Sequence, residues 1–360
     1  MNKKASILTF HCVPNYGAVL QAYALQEVLK NFFDEVEILD YRPNNLTREY
    51  NVINYYSVFS VAATLFSSSS FKKKKQRFFE YENKYFNLSS QHIINISSLK
   101  NYRTDALFLG SDQIWNPDIT NGFDKAYFGK FDIADSAKVI SYAASIGKNS
   151  ITNTQSYILN HLLNGIDAIS VRESQAKDIL QNLCDKSIEV VADPTILAGR
   201  EYFDCMVTKK EKKPYVLLYS LNGYEETEKL AEDVAEFKGL KLIELSGRRK
   251  PILKPHHKAI YDAGPEEFVS YIANAEFVVT DSFHGTVFSL LYHKNFLTVP
   301  HKTRGSRVVN LLNVADVSSR LTDKFSEDIA SPKINWEKVD ENLNVERKKS
   351  YDFIKKAIKS

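Results

Sequence analysis

Residues 277–287 read Phe-Val-Val-Thr-Asp-Ser-Phe-His-Gly-Thr-Val, and this stretch decides the fold class. The apolar run at 277–279 is typical of a strand buried in a parallel sheet. It stops at Thr280-Asp281-Ser282, and a second apolar segment, 287–292, predicts a helix that His284 and Gly285 open. A strand that leads directly into a helix indicates an α/β protein, and such junctions are where open α/β sheets bind ligands.

The position of His284 has two interpretations. The amino end of a helix favours anions, and histidine titrates near neutral pH, so His284 is a candidate for proton transfer beside an anionic ligand. Alternatively, His284 caps the helix and is satisfied by Asp281. This stretch alone does not decide between them.

Bulk composition bounds the class of protein. The chain has 360 residues, which is long for one core and suits two domains. Hydrophobic residues at 44% and charged residues at 25% describe a soluble globular protein. A net charge of +3 is too small to indicate nucleic acid and is compatible with an anionic substrate or membrane surface. We therefore expect no nucleic-acid partner.

The three cysteines and the amino end bear on location. The cysteines are scattered without a CxxC pair, which argues for a reducing compartment and against a cysteine metal site. No signal peptide precedes the first strand, and no apolar run is long enough to cross a bilayer. We expect a cytoplasmic protein.

Alternating strands and helices predict two Rossmann-like, doubly wound domains. The first is expected at 1–205 with an insertion at 43–103, and the second at 206–335 after a charged, linker-like stretch. A last segment, 336–360, carries a helix that we expect to pack back on the first domain. Strands are predicted at 5–10, 36–40, 106–110, 139–143, 168–171, 188–192, 215–221, 240–245, 277–280 and 296–299. Helices are predicted at 15–30, 173–183, 225–238, 265–274 and 345–358.

The insertion contains four consecutive lysines, residues 72–75, next to Phe78 and Phe79. A basic run beside aromatic residues is typical of weak contact with an anionic membrane surface. The same pattern also fits a solvated helix face. Both interpretations stay open.

A polar loop follows the first predicted strand and leads into a helix. It contains His11, Asn15, Tyr16 and Gly17. Backbone N–H groups in such a loop can cradle a phosphate or carboxylate. The spacing is neither G-x-G-x-x-G nor a Walker loop, so it does not indicate a dinucleotide site. Gly17 is explained equally well by close approach of the helix to its strand.

The segment Gly110-Ser-Asp-Gln-Ile-Trp-Asn-Pro117 also follows an apolar strand. Its polar side chains and its one large aromatic ring suit a sugar, through hydrogen bonds to hydroxyls and a ring face against C–H groups. The candidate residues are Ser111, Asp112, Gln113, Trp115 and Asn116. The alternative is a helix cap by Ser111 or Asp112 with a buried tryptophan.

Two further segments have positively charged side chains just after predicted strands. Arg172 can grip a carboxylate or phosphate with both arms of its guanidinium, or it can pair with Glu173 or another acid. The loop at 301–307 contains His301, Arg304 and Arg307, which favour a phosphate site if they are not simply exposed charges.

Metal and diphosphate signatures are weak. The sequence has no D-x-D pair, which removes the usual diphosphate–metal site of one glycosyltransferase class. His256 and His257 are adjacent, but the sequence offers no obvious third ligand. We expect no metal.

Six segments in this order resemble the polysaccharide pyruvyl transferase family. They lie between residue 7 and about 313 and are not specific for the sugar. They are Thr9-Phe-His with Asn-Tyr-Gly-Ala-Val-Leu-Gln-Ala-Tyr-Ala-Leu25, Gly110-Ser-Asp-Gln-Ile-Trp-Asn116, Ser141-Tyr-Ala-Ala-Ser-Ile-Gly147, Ser170-Val-Arg-Glu173, Ala192-Asp-Pro-Thr195 and Thr280-Asp-Ser-Phe-His-Gly-Thr286.

The resemblance implies a fold similar to the GT-B glycosyltransferases, with the active site in the interdomain cleft. It implies transfer of a pyruvyl group from phosphoenolpyruvate to two hydroxyls of one sugar, giving a cyclic ketal for exopolysaccharide or capsule biosynthesis. No cofactor is implied. The family's arginine falls on Arg172 and its histidine on His284. Many members carry arginine where this chain has Ser282, so that anion contact is missing here or relocated to Arg304 or Arg307.

The implied roles are acid–base catalysis by His284, a donor clamp by Arg172 and hydroxyl orientation or a second base at Asp112. The expected substrate contacts are His11, Asn15, Tyr16, Gly17, Ser111, Gln113, Trp115, Asn116, Ser282, Gly285, Thr286, Arg304 and Arg307. The acceptor is expected to be a sugar, lipid-linked in some such pathways, which would place the enzyme at the inner face of the plasma membrane. The competing functions are a glycosyltransferase that uses a nucleotide sugar and a non-catalytic glycan-binding protein.

Overall fold

The computed structural model describes residues 3–44, 46, 61–208, 211–221, 223–246, 257–300, 305–331 and 333–359, with side chains in the helix at 61–85 described from residue 69. The chain divides into two compact units. Unit 1 comprises Met1–Val52, Asn83–Ala198 and Asn344–Ser360, and unit 2 comprises Ile53–Glu82 and Gly199–Leu343.

Unit 1 contains a six-stranded parallel sheet in the order β2-β1-β3-β4-β5-β6. Its strands are β1 (Lys4–Leu8), β2 (Glu35–Ile38), β3 (Ala106–Leu109), β4 (Lys138–Ala144), β5 (Ala168–Val171) and β6 (Ile188–Val190). The helices within its ranges are α1 (Tyr16–Leu29), α3 (Asn153–Leu163), α4 (Ser174–Gln181) and α5 (Pro194–Ala198). Two helices have residues in both units, α2 (Val61–Tyr85) and α11 (Trp336–Lys359).

Unit 2 contains a five-stranded parallel sheet in the order β11-β10-β7-β8-β9. Its strands are β7 (Tyr215–Tyr219), β8 (Lys241–Leu245), β9 (His257–Ile260), β10 (Phe277–Thr280) and β11 (Asn295–Thr298). Its helices are α6 (Glu225–Lys238), α7 (Pro265–Asn274), α8 (Phe283–Leu291), α9 (Ser306–Val314) and α10 (Glu327–Ala330). The prediction of two doubly wound α/β domains is confirmed.

Helix α6 illustrates how local sequence sets these elements. Three glutamates occupy its first turn, where the helix dipole favours negative charge. Leu230 and Val234 lie one turn apart on the buried stripe that packs on the sheet. The helix ends at Gly239, whose φ of 62° suits a residue without a side chain.

The strand order of each sheet reverses direction once. In unit 1 the chain leaves β1 for β2 on one side and returns to β3 on the other, and in unit 2 it reverses between β7 and β10 in the same way. The carboxyl ends of the strands at such a reversal border a crevice, which is the usual ligand position in open α/β sheets. Loops 9–17 and 110–117 lie at the carboxyl ends of β1 and β3, where the first sheet reverses. Residues 280–286 lie at the carboxyl end of β10, where the second sheet reverses.

The last helix, α11, contacts the unit 1 sheet through its second half. The Ser350 hydroxyl accepts a 2.8 Å hydrogen bond from the buried backbone N–H of Ala192, just beyond β6, and donates to Glu346 O. Arg347 Nε donates to Ile196 O over 2.7 Å. These bonds fix the chain on both sides of Asp193.

Ser350→Ala should destabilise the protein, because it leaves the buried Ala192 N–H without an acceptor. The expected loss in free energy of unfolding is about 1–3 kcal/mol, measured by urea unfolding. Lys348→Ala, an exposed change on the same helix, is the control and should stay within about 0.5 kcal/mol of the parent. Equal stability of the two variants would show that water satisfies this amide.

Candidate functional site

The two loops at the first strand reversal are joined by a buried hydrogen bond. Thr9, directly after β1, donates from Oγ1 to Ser111 O over 2.9 Å, and Gln21 Nε2 of α1 donates to the same Thr9 oxygen over 2.9 Å. All three side chains are fully buried. The structure therefore brings together the segments around residues 9 and 111, which lie about a hundred positions apart in the sequence.

Arg172 lies just beyond β5 and is buried among three carboxylates. Its Nη1 is 2.9 Å from Asp193 Oδ2, its Nη2 is 3.6 Å from Asp112 Oδ1, and its Nε is 3.9 Å from Glu173 Oε2. Its side chain is only 2% exposed. These contacts tie the carboxyl ends of β3, β5 and β6 together.

The charge balance around Arg172 is strongly biased toward its protonated form. Burial alone would lower the pKa of the guanidinium, but the neighbouring carboxylates of Asp193, Asp112 and Glu173 raise it. These ion pairs correspond to the salt-bridge interpretation of Arg172. The clamp on a donor anion stays a prediction.

The segment after β4 completes this network. Ser145 Oγ donates to Glu173 Oε1 over 2.5 Å, and its backbone N–H donates to Asp112 O over 2.9 Å. Two residues on, Gly147 has a φ of 64°, and a Cβ there would lie 1.9 Å from Gln113 Oε1. The positive φ favours glycine, and a side chain at 147 would also displace the end of the Gln113 side chain and crowd Asn116.

The structure corrects the role predicted for Trp115. Its ring is fully buried, stacks on Phe128 with centroids 5.2 Å apart, and donates from Nε1 to Tyr127 O over 2.8 Å. With its ring in the core, Trp115 offers no face to a sugar, and we assign it to the buried-tryptophan interpretation.

The polar neighbours of Trp115 differ in exposure. Ser111 and Asn116 are fully buried, and Asn116 Nδ2 donates to Gln113 Oε1 over 3.0 Å. Asp112 and Gln113 are partly exposed. Of the sugar contacts predicted in this segment, Asp112 and Gln113 are therefore the two that reach the surface of unit 1.

The first loop supports its own helix. Asn15 caps α1 by accepting hydrogen bonds from the backbone N–H groups of Gly17 and Ala18. Tyr16 and Gly17 are buried, and His11 is fully buried with Nε2 3.0 Å from Asp40 Oδ1. Asn15 alone of the four predicted residues is partly exposed.

Sequence reasoning missed an acid-centred cluster beside this loop. Asp40, beyond β2, also contacts His92 Nδ1 at 2.9 Å and Arg42 Nε at 2.5 Å. Burial alone would raise the pKa of Asp40, but the hydrogen bonds from His11, His92 and Arg42 hold it well below its usual range. The available signal was an acid directly after a strand, at the edge that carries the other candidates.

At the second strand reversal, Asp281 joins the ends of β7 and β10. Its Oδ2 accepts from Ser220 Oγ over 2.6 Å and its Oδ1 accepts from the backbone N–H of Leu221 over 2.8 Å. Thr280 Oγ1 donates to Tyr219 O over 2.6 Å. Asp281 therefore accepts hydrogen bonds from the residues that follow β7.

Ser282 rather than His284 caps α8. The Ser282 hydroxyl accepts from the backbone N–H of Gly285, so the residue that replaces the family's arginine starts the helix. His284 lies in the first turn and is 9% exposed. Gly285 is needed for packing, because a Cβ there would lie 2.4 Å from Thr280 Oγ1. Thr286 is fully buried and bonds to Ser282 O and the Thr298 hydroxyl.

A cation lies beside this helix start. Arg307, in the first turn of α9, places its guanidinium carbon 5.7 Å from the centre of the Phe283 ring, and that ring packs edge-on against the His284 imidazole. Arg307 and His284 therefore both contact the Phe283 ring. His301 and Arg304 lie outside the described residues.

The basic run on α2 faces solvent only in part. Lys72 and Lys73 are exposed, whereas Lys74 and Lys75 are half-buried. Phe79 is exposed but Phe78 is 4% exposed, so Phe78 is a packing residue and not a membrane anchor. Membrane association stays a prediction. None of the described helices combines the length and apolar character that crossing a bilayer requires.

The polysaccharide pyruvyl transferase family model matches residues 15–303, which is most of the chain and includes Asp112, Arg172 and His284 but not Arg307. The chain belongs to the polysaccharide pyruvyl transferase family. No curated protein is similar enough in sequence to match this member of the family.

Solved structures similar to this pyruvyl transferase family member include two UDP-N-acetylglucosamine 2-epimerases. The enzyme from Methanocaldococcus jannaschii, in complex with UDP-GlcNAc and UDP, is 13% identical with a TM-score of 0.47 over 96% of this chain and 93% of its own. The putative enzyme from Listeria monocytogenes is 12% identical with a TM-score of 0.46 over 98% and 90%. The E. coli heptosyltransferase WaaC with ADP is 10% identical with a TM-score of 0.43 over 94% and 99%. Likeness at this level says nothing about substrate.

Arg172→Ala should strongly destabilise this transferase, because it leaves three carboxylates close together without their shared cation. Removing one partner of a buried ion pair costs about 3–5 kcal/mol in free energy of unfolding. Arg172→Lys keeps a positive charge and should be less destabilising. Arg103→Ala, at an exposed arginine of unit 1, is the control for urea unfolding. A stable Arg172→Ala protein would contradict a structural role and return the residue to ligand binding alone.

Proposed function

We propose that this protein transfers the pyruvyl group of phosphoenolpyruvate to two hydroxyls of one sugar and so forms a cyclic ketal in cell-surface polysaccharide biosynthesis. Family membership supports a transferase of this kind. The observation that carries the donor assignment is the start of α8 at a strand reversal. His284 lies in the first turn of this helix, and Arg307 contacts the neighbouring Phe283 ring.

Each group at this position matches a part of the donor. Phosphoenolpyruvate carries a phosphate and a carboxylate, and a helix amino end favours anions through its unpaired N–H groups and its dipole. A guanidinium binds either anionic group through paired hydrogen bonds. Arg307 supplies such a group against Phe283, the residue after Ser282, where many family members carry arginine. It is our candidate for the relocated anion contact.

The proposed reaction needs proton transfer at carbon. In the first step, the oxygen of one sugar hydroxyl bonds to C2 of phosphoenolpyruvate, and C3 gains a proton and becomes a methyl group. The hydroxyl proton is lost in the same step, so the addition is balanced. In the second step, the C2–phosphate bond breaks, the second hydroxyl bonds to C2, and its proton leaves with or after the phosphate. The products are the ketal and inorganic phosphate.

His284 is our candidate for the proton donor to C3. It lies in the first turn of the helix that would hold the anions and is mostly buried, so water is largely kept from the imidazole. Histidine carries protons effectively near neutral pH. Holding donor and hydroxyls in a fixed arrangement would contribute much of the remaining acceleration.

For the sugar, we propose contacts at the first strand reversal of unit 1. Asp112, Gln113 and Asn15 are partly exposed there, and each offers polar atoms for hydroxyl groups. Arg172 holds Asp112 in place through the ion pair described above. We therefore propose Asp112 as the group that orients or deprotonates an acceptor hydroxyl.

His284→Gln should reduce the turnover rate by roughly 10²–10⁴-fold, the range expected when a general acid–base group is lost. Turnover is measured as phosphate release from phosphoenolpyruvate with a panel of glycosides. The melting temperature of the variant should remain close to that of the parent. His161→Gln, at an exposed histidine on α3, is the matched control. Near-parent turnover in folded His284→Gln would exclude acid–base catalysis by His284.

Phosphoenolpyruvate should raise the melting temperature, because a ligand that binds only the folded state stabilises it. At 100 times the dissociation constant the stabilisation is about 2.7 kcal/mol. Arg307→Ala should weaken this effect, whereas Lys348→Ala should not. No shift with millimolar phosphoenolpyruvate, together with a shift for nucleotide sugars, would favour a nucleotide-sugar glycosyltransferase. Glycan binding without turnover of either donor would favour a non-catalytic protein.

A further inference from the structure

Three elements of unit 2 bring together side chains of the types that bind metal ions. This cluster lies away from the strand reversal. Glu228 comes from α6, Glu244 from β8 and His257 from β9. In the sheet order, β8 and β9 lie on the far side of β7 from β10, so this cluster is separate from the start of α8.

The sheet register explains why these side chains meet. His257 is the register partner of Leu242, and paired residues of parallel strands point to the same face. Glu244 lies two residues beyond Leu242 and shares that face. Leu242 packs with Leu230 of α6, so this is the face that α6 covers. The cluster is built into the α6–β8–β9 contact.

The geometry is that of converging ligands. One donor atom from each of the three residues lies within 4.8 Å of the other two. His257 Nε2 and Glu244 Oε2 are 2.8 Å apart, yet Nε2 has no hydrogen bond of acceptable geometry among the described residues. Histidine and carboxylate ligands each lie about 2.0–2.2 Å from Zn²⁺, so bound ligand atoms stand roughly 3 Å apart. The His257–Glu244 separation is already close to this value, and the Glu228 carboxylate lies within 4.8 Å of both other ligand atoms.

Burial strengthens the case. Glu244 is 5% and His257 is 9% exposed, and Glu228 is half-buried. Burial shields these ligands from bulk water, which strengthens their attraction to a cation. The sequence offered no third ligand for a metal near residues 256 and 257, because Glu228 and Glu244 become neighbours of His257 only in the folded sheet.

We propose that Glu228, Glu244 and His257 bind one divalent transition-metal ion. One imidazole and two carboxylates suit Zn²⁺ best, and Mn²⁺ is the runner-up because carboxylates also favour it. Water completes the coordination. The ion ties α6 to both strands and stabilises unit 2, and it takes no part in the transfer reaction.

The test uses the full chain without a histidine tag, treated with EDTA and then dialysed against Zn²⁺ or Mn²⁺. Bound metal is counted by inductively coupled plasma mass spectrometry, and affinity and melting temperature are measured by titration. We expect one Zn²⁺ per chain and a higher melting temperature. Glu228→Gln and His257→Ala should each weaken binding by roughly 100-fold or more, since losing even an outer-shell partner costs 10–100-fold.

Two controls locate the site. Glu225→Gln changes an exposed glutamate of α6 outside the cluster and should bind like the parent. Glu228→Gln preserves the shape of a half-buried side chain. If His257→Ala fails to fold, metal binding by Glu228→Gln alone tests the site. Failure to take up metal, or uptake that Glu228→Gln leaves unchanged, would overturn the proposal. Loss of binding in His256→Ala but not in His257→Ala would also overturn it.

Discussion

The direction of the strands is the constraint on which the candidate site depends. All strands within each sheet are parallel, so every carboxyl end lies on the same edge of its sheet. Each sheet also reverses its strand order once, which opens a gap between two neighbouring loops at that edge. The polar segments around Thr9 and Ser111 come together for this reason, and so do Ser220 and Asp281. The order of the strands therefore places these polar loops next to each other.

Several residues with the family's sequence pattern make contacts that build these edges. Arg172 pairs with surrounding acids, Ser282 caps a helix, and a Cβ at Gly147 or Gly285 would lie less than 3 Å from a neighbouring side chain. A buried guanidinium is tolerated because three carboxylates balance it. Among the described residues, we propose His284 and Arg307 in unit 2, and Asp112, Gln113 and Asn15 in unit 1, as the ligand contacts.

The sequence predicted the elements whose pattern is local. The strands at 168–171 and 277–280 and the helices at 225–238 and 265–274 match to the residue, because each combines an apolar run or stripe with clear ends. Strand β9 was not predicted, because only His257 of its four residues is buried and the others are half-buried. The sugar contact predicted for Trp115 was wrong. A tryptophan that stacks on a sugar and a tryptophan buried in the core can have the same neighbours in the sequence. The contacts Arg172–Asp193, Arg307–Phe283 and Glu244–His257 join segments distant in the chain, so no local pattern contains them.

Ketal formation can be followed by ¹³C NMR of the reaction of phosphoenolpyruvate labelled at C2 with a panel of glycosides. We predict that the label moves into the sugar as a quaternary carbon bonded to two sugar oxygens, beside a new methyl group, with one phosphate released per ketal. A labelled vinyl ether would show that transfer stops before ketal formation. Label that remains in phosphoenolpyruvate with every acceptor, while a nucleotide sugar is consumed, would contradict the account.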